Sequence, residues 1–270
     1  MKDPLVLVGG GKMGGAMLEG WLERGLDPTQ VHVVDPTPAA RDAFAAKGVH
    51  TVADGADLAG DLEPGVIVLA VKPQVMDAVA PAYARFAEAG AVYLSIAAGK
   101  TIDYFENHLG AGAKIVRAMP NTPAAVQRGI TVACGNDPIG EAEKQQCLEL
   151  LRAVGEAEWV DDEGLIDAVT ALSGGGPAYV FLLAEVMAKA GAANGLPTDL
   201  AERLARVTVA GAGELLHRSA EPAAQLRENV TSPGGTTAEA LRVLMADDGW
   251  QPLMDRAIAA ATQRSKELAG

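Results

Sequence analysis

The segment from Asn229 to Leu241 (Asn-Val-Thr-Ser-Pro-Gly-Gly-Thr-Thr-Ala-Glu-Ala-Leu) places a glycine-rich loop directly ahead of a helix start. Pro233 stiffens the loop, and Gly234 and Gly235 let the backbone come close to a bound group. Exposed N–H groups at a helix N-terminus form a seat for a small anion such as a carboxylate. Thr236 and Glu239 fit a capping box, and Leu241, Leu244 and Met245 supply an apolar stripe behind them. Taken alone, the pattern describes either an anion site or a well-capped helix after a tight turn.

A second glycine-rich junction near the other end of the chain shifts that balance. Leu5-Val6-Leu7-Val8 leads into Gly9, Gly11 and Gly14 at G-x-G-x-x-G spacing, with Lys12 and Met13 inside the motif. A helical pattern follows through Met17, Leu18, Trp21 and Leu22. This is the dinucleotide fingerprint, in which one glycine makes the turn, one admits the pyrophosphate and one lets helix and strand pack closely. The required context is present. Val31–Val34 reads as the next strand and ends at Asp35, about 20 positions past the last glycine, where an acidic residue grips the adenine ribose. The chemistry implied is hydride transfer with a nicotinamide dinucleotide.

The elements that must hold these loops alternate along the first part of the chain. Strands are predicted at Leu5–Val8, Val31–Val34, Val66–Val71, Ala91–Ile96, Lys114–Ala118 and Thr131–Cys134, with a last short one at 156–160. Helices are predicted between them at Gly15–Arg24, Pro38–Lys47, Gln74–Phe86 and Ile102–Leu109, and Glu141–Val154 closes the series. Such alternation builds an α/β, doubly wound parallel sheet of the Rossmann type. Chemistry in such a sheet belongs to the loops after the strands. Ala70-Val71-Lys72-Pro73, Ser95-Ile96-Ala97-Ala98-Gly99 and Arg117 to Pro123, which includes Asn121, fall there and are expected to line the cofactor.

From Asp161 onward strand signals stop. Helices are predicted at Glu163–Leu172, Pro177–Asn194, Thr198–Arg218, Ala223–Asn229, Thr237–Ala246 and Gln251–Leu268, punctuated at Gly174–Pro177, Gly195–Pro197, Pro222 and Ser232–Gly235. The expected division is a dinucleotide-binding domain at 1–160 and an all-helical domain at 161–270. Pro177–Ala193 looks superficially like a membrane span, but it is short and carries Glu185 and Lys189 at i,i+4. A helix apolar almost all round is expected to be buried in protein, here as a central helix shared with a partner subunit.

Composition narrows the class. A chain of 270 residues with 49% hydrophobic but only 4% aromatic residues builds its core from Ala, Val, Leu and Gly. A formal net charge of −13 argues against a nucleic-acid partner. Cys134 and Cys147 share no ligand-like spacing with each other or with His32, His50, His108 or His217, so neither a metal site nor a disulfide framework is expected. The N-terminus runs straight into a strand, leaving no room for a leader, and a cytoplasmic location is expected.

With both glycine-rich ends in hand, the chain resembles the pyrroline-5-carboxylate reductases over essentially its whole length. The resemblance rests on Gly9–Gly14, Ala70–Pro73, Ser95–Gly99, Arg117–Pro123, Ser173–Tyr179 and above all Asn229–Thr237. It implies hydride transfer from NADPH or NADH to the imine carbon of 1-pyrroline-5-carboxylate, giving L-proline as the last step of proline biosynthesis. It also implies a helical C-terminal domain that makes a homodimer or higher homo-oligomer by interleaving, with the active site between one subunit's cofactor and the partner's helices. A protonated cyclic imine is already electrophilic, so the enzyme needs to hold the carboxylate, orient the ring and hydrogen-bond the ring nitrogen. Ser232, Pro233, Gly234, Gly235 and Thr236 are the expected carboxylate seat, and Thr237 by resemblance faces the ring nitrogen. Two positions depart from the family. Gly175 stands where an inner Ser is common, losing a hydroxyl near the substrate. Asp35 favours a bare ribose diol over a 2′-phosphate, although Thr37 and Arg41 are placed to accommodate one, so both cofactors stay open.

The alternatives are a related cyclic-imine reductase, a β-hydroxyacid dehydrogenase, or a non-catalytic NAD(P)-sensing module. The dehydrogenase requires a Lys on the helix after its glycine-rich loop, whereas Gly174–Gly176 is followed by Pro177, Ala178 and Tyr179, with no Lys before Lys189. The presence of Thr237 and the Gly234-Gly235 loop argues against the sensing module.

Overall fold

The computed structural model of the chain describes residues 3–269. Its contacts divide them into two compact units, one reaching to Gly174 and resuming at Ala261, the other running Gly175–Ala260.

The first unit is built on an 8-stranded sheet. In chain order the strands are β1 Leu5–Val8, β2 Val31–Val34, β3 His50–Val52, β4 Val66–Leu69, β5 Val92–Ser95, β6 Lys114–Met119, β7 Gly129–Gly135 and β8 Gly155–Trp159, arranged β3-β2-β1-β4-β5-β6-β7-β8. The interleaved helices are α1 Lys12–Glu23, α2 Pro38–Ala45, α3 Met76–Val79, α4 Ile102–Leu109, α5 Glu141–Leu151 and α6 Leu165–Val169. β1 and β4 are buried along their whole length, as central parallel strands covered on both faces must be. Alternation then sorts their side chains: Leu5 and Leu7 join the core with Met17, Leu18 and Leu151, while Val6 and Val8 join the one with Tyr83, Tyr93 and Phe105. The order reverses between β1 and its neighbours β2 and β4, which opens a crevice at the strand C-termini.

Differences from the sequence expectation have local causes. β3 spans three residues at a sheet edge, too short to show a period. β7 runs antiparallel to β6, so one pairing departs from the all-parallel pattern. The expected helix at 74–86 breaks into a 3-10 turn, the short α3 and a further 3-10 segment, because Pro81 cannot donate to a helical ladder. The expected break at Gly174–Pro177 is absent. α6 passes into a π-turn at Thr170–Gly174 and on into α7, with Pro177 tolerated in the first turn.

The second unit contains α7 Gly176–Ala193, α8 Thr198–Arg218, α9 Ala223–Asn229, α10 Thr236–Leu244 and most of α11 Trp250–Ala269. α7 and α8 pack through small residues: a side chain at Gly191 would touch Leu196 and Ala201. Their other faces are open. Val180, Phe181 and Leu182 on α7 and Leu204, Val207 and Leu215 on α8 are exposed, Phe181 by 69%. The continuous stretch Leu165–Ala193 is long and apolar enough to cross a membrane by length and composition, and little of it is buried within the single chain. Apolar exposure on this scale marks a surface made to be covered.

Candidate active site

The fingerprint loop requires glycine at each motif position for a different reason. Gly9 has φ +98, and a side chain there would press on the Ala70 carbonyl at 3.0 Å. A Cβ at Gly14 would lie 2.1 Å from the Gly9 carbonyl oxygen, which only backbone movement relieves. Gly11 faces open space and is the N-cap of α1, with no side chain capping the helix. The first turn of α1, with Lys12, Met13 and Gly14, therefore presents backbone N–H groups and a positive helix end to a phosphate. The cradle fits a dinucleotide pyrophosphate.

Asp35 sits at the end of β2, 8% exposed. Its Oδ2 accepts the Gly10 amide and its Oδ1 the Thr37 amide, both at 2.8 Å, while Arg41 Nη1 donates to its backbone carbonyl. The carboxylate thus braces the glycine loop, a role the sequence did not reveal. Thr37 precedes α2 and is exposed.

Two further loops stand on the other side of the fingerprint, at the ends of β4 and β5. The Ala70 amide continues the ladder to Val8, and Lys72 opens the 3-10 turn Pro73–Val75 with its side chain exposed. After β5, the Ala97 amide donates to buried Ser95 Oγ, Ala98 is exposed, and Gly99 takes φ +73. Asn121, expected at the cofactor, has its amide engaged on both sides. Oδ1 accepts the Ile130 amide at 3.0 Å and Nδ2 donates to the Ser173 carbonyl at 3.2 Å, so it ties the loop after β6 to the π-turn.

The Ser232–Thr236 loop, the expected carboxylate seat, lies in the second unit. The Gly235 amide donates to the Ser232 carbonyl at 3.0 Å, Gly234 adopts φ +69, and a Cβ on Gly235 would meet Ser232 Oγ at 2.4 Å. The expected capping box does not form. α10 already includes Thr236, so the N-cap is Gly235, which has no side chain to offer, and Glu239 pairs instead with Arg242 at 3.1 Å. Without the box, the turn at Thr236 and Thr237 starts with backbone N–H groups that no side chain caps. Pro233 and Thr236 are exposed and Thr237 is half-buried. Upstream, Asn229 Nδ2 donates to Glu221 and Gln225 Nε2 donates to Asn229, a polar set the sequence reading passed over. Gly175 has an ordinary right-handed backbone, φ −82, that any residue adopts.

Neither cysteine is a nucleophile here, since burial pushes the thiols of Cys134 and Cys147 up to about 12. A cleft of about 640 Å³ between α1 and α5, lined by Trp21, Arg24, Gln146 and Leu150, lies at the opposite strand ends from the glycine loop.

Comparison with known proteins bears on the family of the chain. Residues 163–268 match the family model described as pyrroline-5-carboxylate reductase dimerisation, and residues 4–99 match NADP oxidoreductase coenzyme F420-dependent. A pyrroline-5-carboxylate reductase of Pseudomonas aeruginosa is 40% identical over 266 residues, covering 98% of this chain and 96% of its own. Among solved structures, a pyrroline-5-carboxylate reductase from Coxiella burnetii superposes with TM-score 0.93 at 36% identity, covering 100% of both chains. The Plasmodium falciparum pyrroline carboxylate reductase, solved with NADP bound, gives 0.81 at 29% identity, covering 100% of this chain and 99% of its own.

Proposed function

The chain belongs to the pyrroline-5-carboxylate reductase family, and we propose, from that premise and the geometry above, how its residues divide the work. The enzyme reduces the C=N bond of 1-pyrroline-5-carboxylate to L-proline with NAD(P)H, the final step of proline biosynthesis. NAD(P)H supplies the hydride to the imine carbon, and one proton must reside on the ring nitrogen.

In this reading the pyrophosphate sits on Gly9, Gly11, Lys12, Met13 and Gly14. Asp35 and Thr37 meet the adenosine ribose. Sheet order places the loops after β4 and β5 away from Asp35, so Ala70–Pro73 and Ala97–Gly99 serve the nicotinamide half. Asn121 contributes by holding its loop in place. The substrate carboxylate is received by the Ser232–Thr236 turn, and Gly175, a substrate-site position by resemblance, offers it no hydroxyl. Thr237, one residue into the helix, hydrogen-bonds the ring nitrogen and orients or relays its proton; a Thr hydroxyl is too weak an acid to do more at neutral pH.

The observation that carries this assignment is the uncapped, glycine-pinned start of α10. Gly235→Ala places a methyl against Ser232 Oγ and should raise KM for the imine by about tenfold, with KM for NAD(P)H little changed. The assay is NAD(P)H oxidation on adding the imine. An unaltered KM for the imine would remove the turn from the substrate site.

The enzyme is a homo-oligomer acting on a small molecule. That it is a dimer or a larger closed assembly, cytoplasmic, and without nucleic-acid or membrane partners belongs to the proposal. It is supported by the acidic charge and by the dimerisation model covering the exposed α7 face. The sequence division at 1–160 and 161–270 is proposed likewise. The contact boundary falls later, at Gly174, because α6 packs on β6 and β7.

A further inference from the structure

The loop after β5 is fastened beyond what a turn of its length requires. At its entry, the Ile96 amide donates to the Leu69 carbonyl and the Ala97 amide to Ser95 Oγ, each at 3.2 Å. At its exit, the Ile102 amide opening α4 donates to Glu163 Oε1 at 3.0 Å. The same oxygen receives Arg117 Nη1 at 2.6 Å. Arg117 stands opposite Ser95 in the β5–β6 register, and its side chain is only 5% exposed. A single carboxylate therefore neutralises a buried guanidinium and caps the helix that follows the loop. Thr101 Oγ1 caps the Tyr104 amide of the same turn.

The tip of the loop lies close against the C-terminal helix. A Cβ on Gly99 would lie 3.2 Å from the Leu268 carbonyl near the end of α11. That helix end is tied down by Ser265 Oγ, which donates to Asp167 Oδ1 at 2.7 Å and is 6% exposed. Asp167 lies in α6, four residues after Glu163, which sits in the turn leading into that helix. The segment Glu163–Asp167 thus holds the loop exit directly and fixes the C-terminal turn against which the loop tip packs.

We propose that Glu163 is a positioning residue for hydride transfer, acting through the Ser95–Gly99 loop on the nicotinamide end of the cofactor; this rests on the assignment of Ala97–Gly99 to that end. Removing the carboxylate leaves Arg117 buried without its counter-charge and frees the first turn of α4. Both changes displace the loop rather than the pyrophosphate cradle, which lies across β1 and β4. Hydride transfer requires the reacting atoms within about 3–3.5 Å, and a shift of about 1 Å reduces turnover on the order of a hundredfold.

The test compares Glu163→Ala and Glu163→Gln in the full-length enzyme. Steady-state kinetics with 1-pyrroline-5-carboxylate are read beside NADPH affinity from fluorescence titration and thermal melting. Glu163→Ala should lower kcat by about 10- to 100-fold, with the NADPH Kd within about threefold. Glu163→Gln keeps an acceptor for the Ile102 amide but not the counter-charge of Arg117, and should recover only part of the turnover. A lowered melting temperature with kcat unchanged in the folded fraction would overturn the proposal. Should Glu163→Ala fail to fold, Ser265→Ala releases the loop tip alone and should still lower kcat severalfold; no loss there would overturn it equally. Ala98→Leu separates this proposal from its premise, because Ala98 is exposed on the loop. If Ala98→Leu slows the enzyme while Glu163→Ala does not, only the positioning role falls. If Ala98→Leu changes neither kcat nor the cofactor KM, the loop is not at the cofactor and both fall.

Discussion

Thr237→Ala gives the sharpest test of the active-site assignment, because the structure separates two effects that run together in the sequence. If Thr237 served only to start α10, removing its hydroxyl would cost about 1 kcal/mol, the usual worth of an N-cap. The N-cap is Gly235, however, and no side chain caps the helix, so the mutation removes no cap. Thr to Ala inside a helical turn instead gains up to about 0.6 kcal/mol in propensity. At about 2–4 °C per kcal/mol for a chain of this size, the melting temperature should hold steady or rise by about 1–2 °C. A hydrogen bond to the ring nitrogen strengthens as charge there changes, so its loss falls on the transition state. A 10- to 1000-fold fall in kcat is expected, about 1.4–4 kcal/mol of barrier. NAD(P)H affinity should be unchanged. The assays are imine-dependent NAD(P)H oxidation at saturating cofactor, cofactor titration and differential scanning calorimetry. Near-normal turnover with a lowered melting temperature would refute the catalytic role and return Thr237 to the helix start.

Asp35→Ser should raise the NADPH-to-NADH ratio of kcat/KM, because it removes a negative charge where a 2′-phosphate would sit. Both efficiencies should fall somewhat, since the Gly10 and Thr37 amides lose their acceptor, and an unchanged ratio would show that Thr37 and Arg41 decide the preference. The native chain should run as a dimer or larger by light scattering at micromolar concentration, and Phe181→Glu, on the exposed face of α7, should shift it toward monomer; a monodisperse native monomer would contradict this. His32 stacks on His50 with ring centroids 4.8 Å apart, and burial followed by the charge of His50 lowers its pKa below the ordinary 6.5. The unfolded chain therefore takes up the proton first as pH falls, so this contribution to stability is complete above about pH 7 and is lost on acidification below about 6.5. His32→Gln should flatten the decline in melting temperature between about pH 7 and 5, and an identical slope in both proteins would remove His32 as its cause.

What was legible in the sequence is what short-range physics dictates. Gly9, Gly11 and Gly14 announce their backbone needs whatever the rest of the chain does, and Asn229–Thr237 does the same for the anion loop. Buried strands such as Leu5–Val8 and Val66–Leu69 are readable because a central parallel strand must be apolar at every position. With the helices between them, this was enough to place the loops after β1, β4 and β5 along one edge of the sheet, and so to identify the chemistry.

The remainder depended on partners far apart in the chain. The capping box at Thr236 and Glu239 had the right spacing, but the backbone entered the helix one residue early and left glycine in the capping place. Asp35 braces Gly10, Asn121 joins Ile130 to Ser173, and Glu163 reaches back to Arg117 and Ile102. No local pattern encodes such pairs, because each exists only once the strands have taken their order and brought the side chains within hydrogen-bond reach. The apolar face of α7 belongs to the same class. The sequence marks it as a surface that must leave water, whereas the tertiary structure shows that its own unit does not cover it.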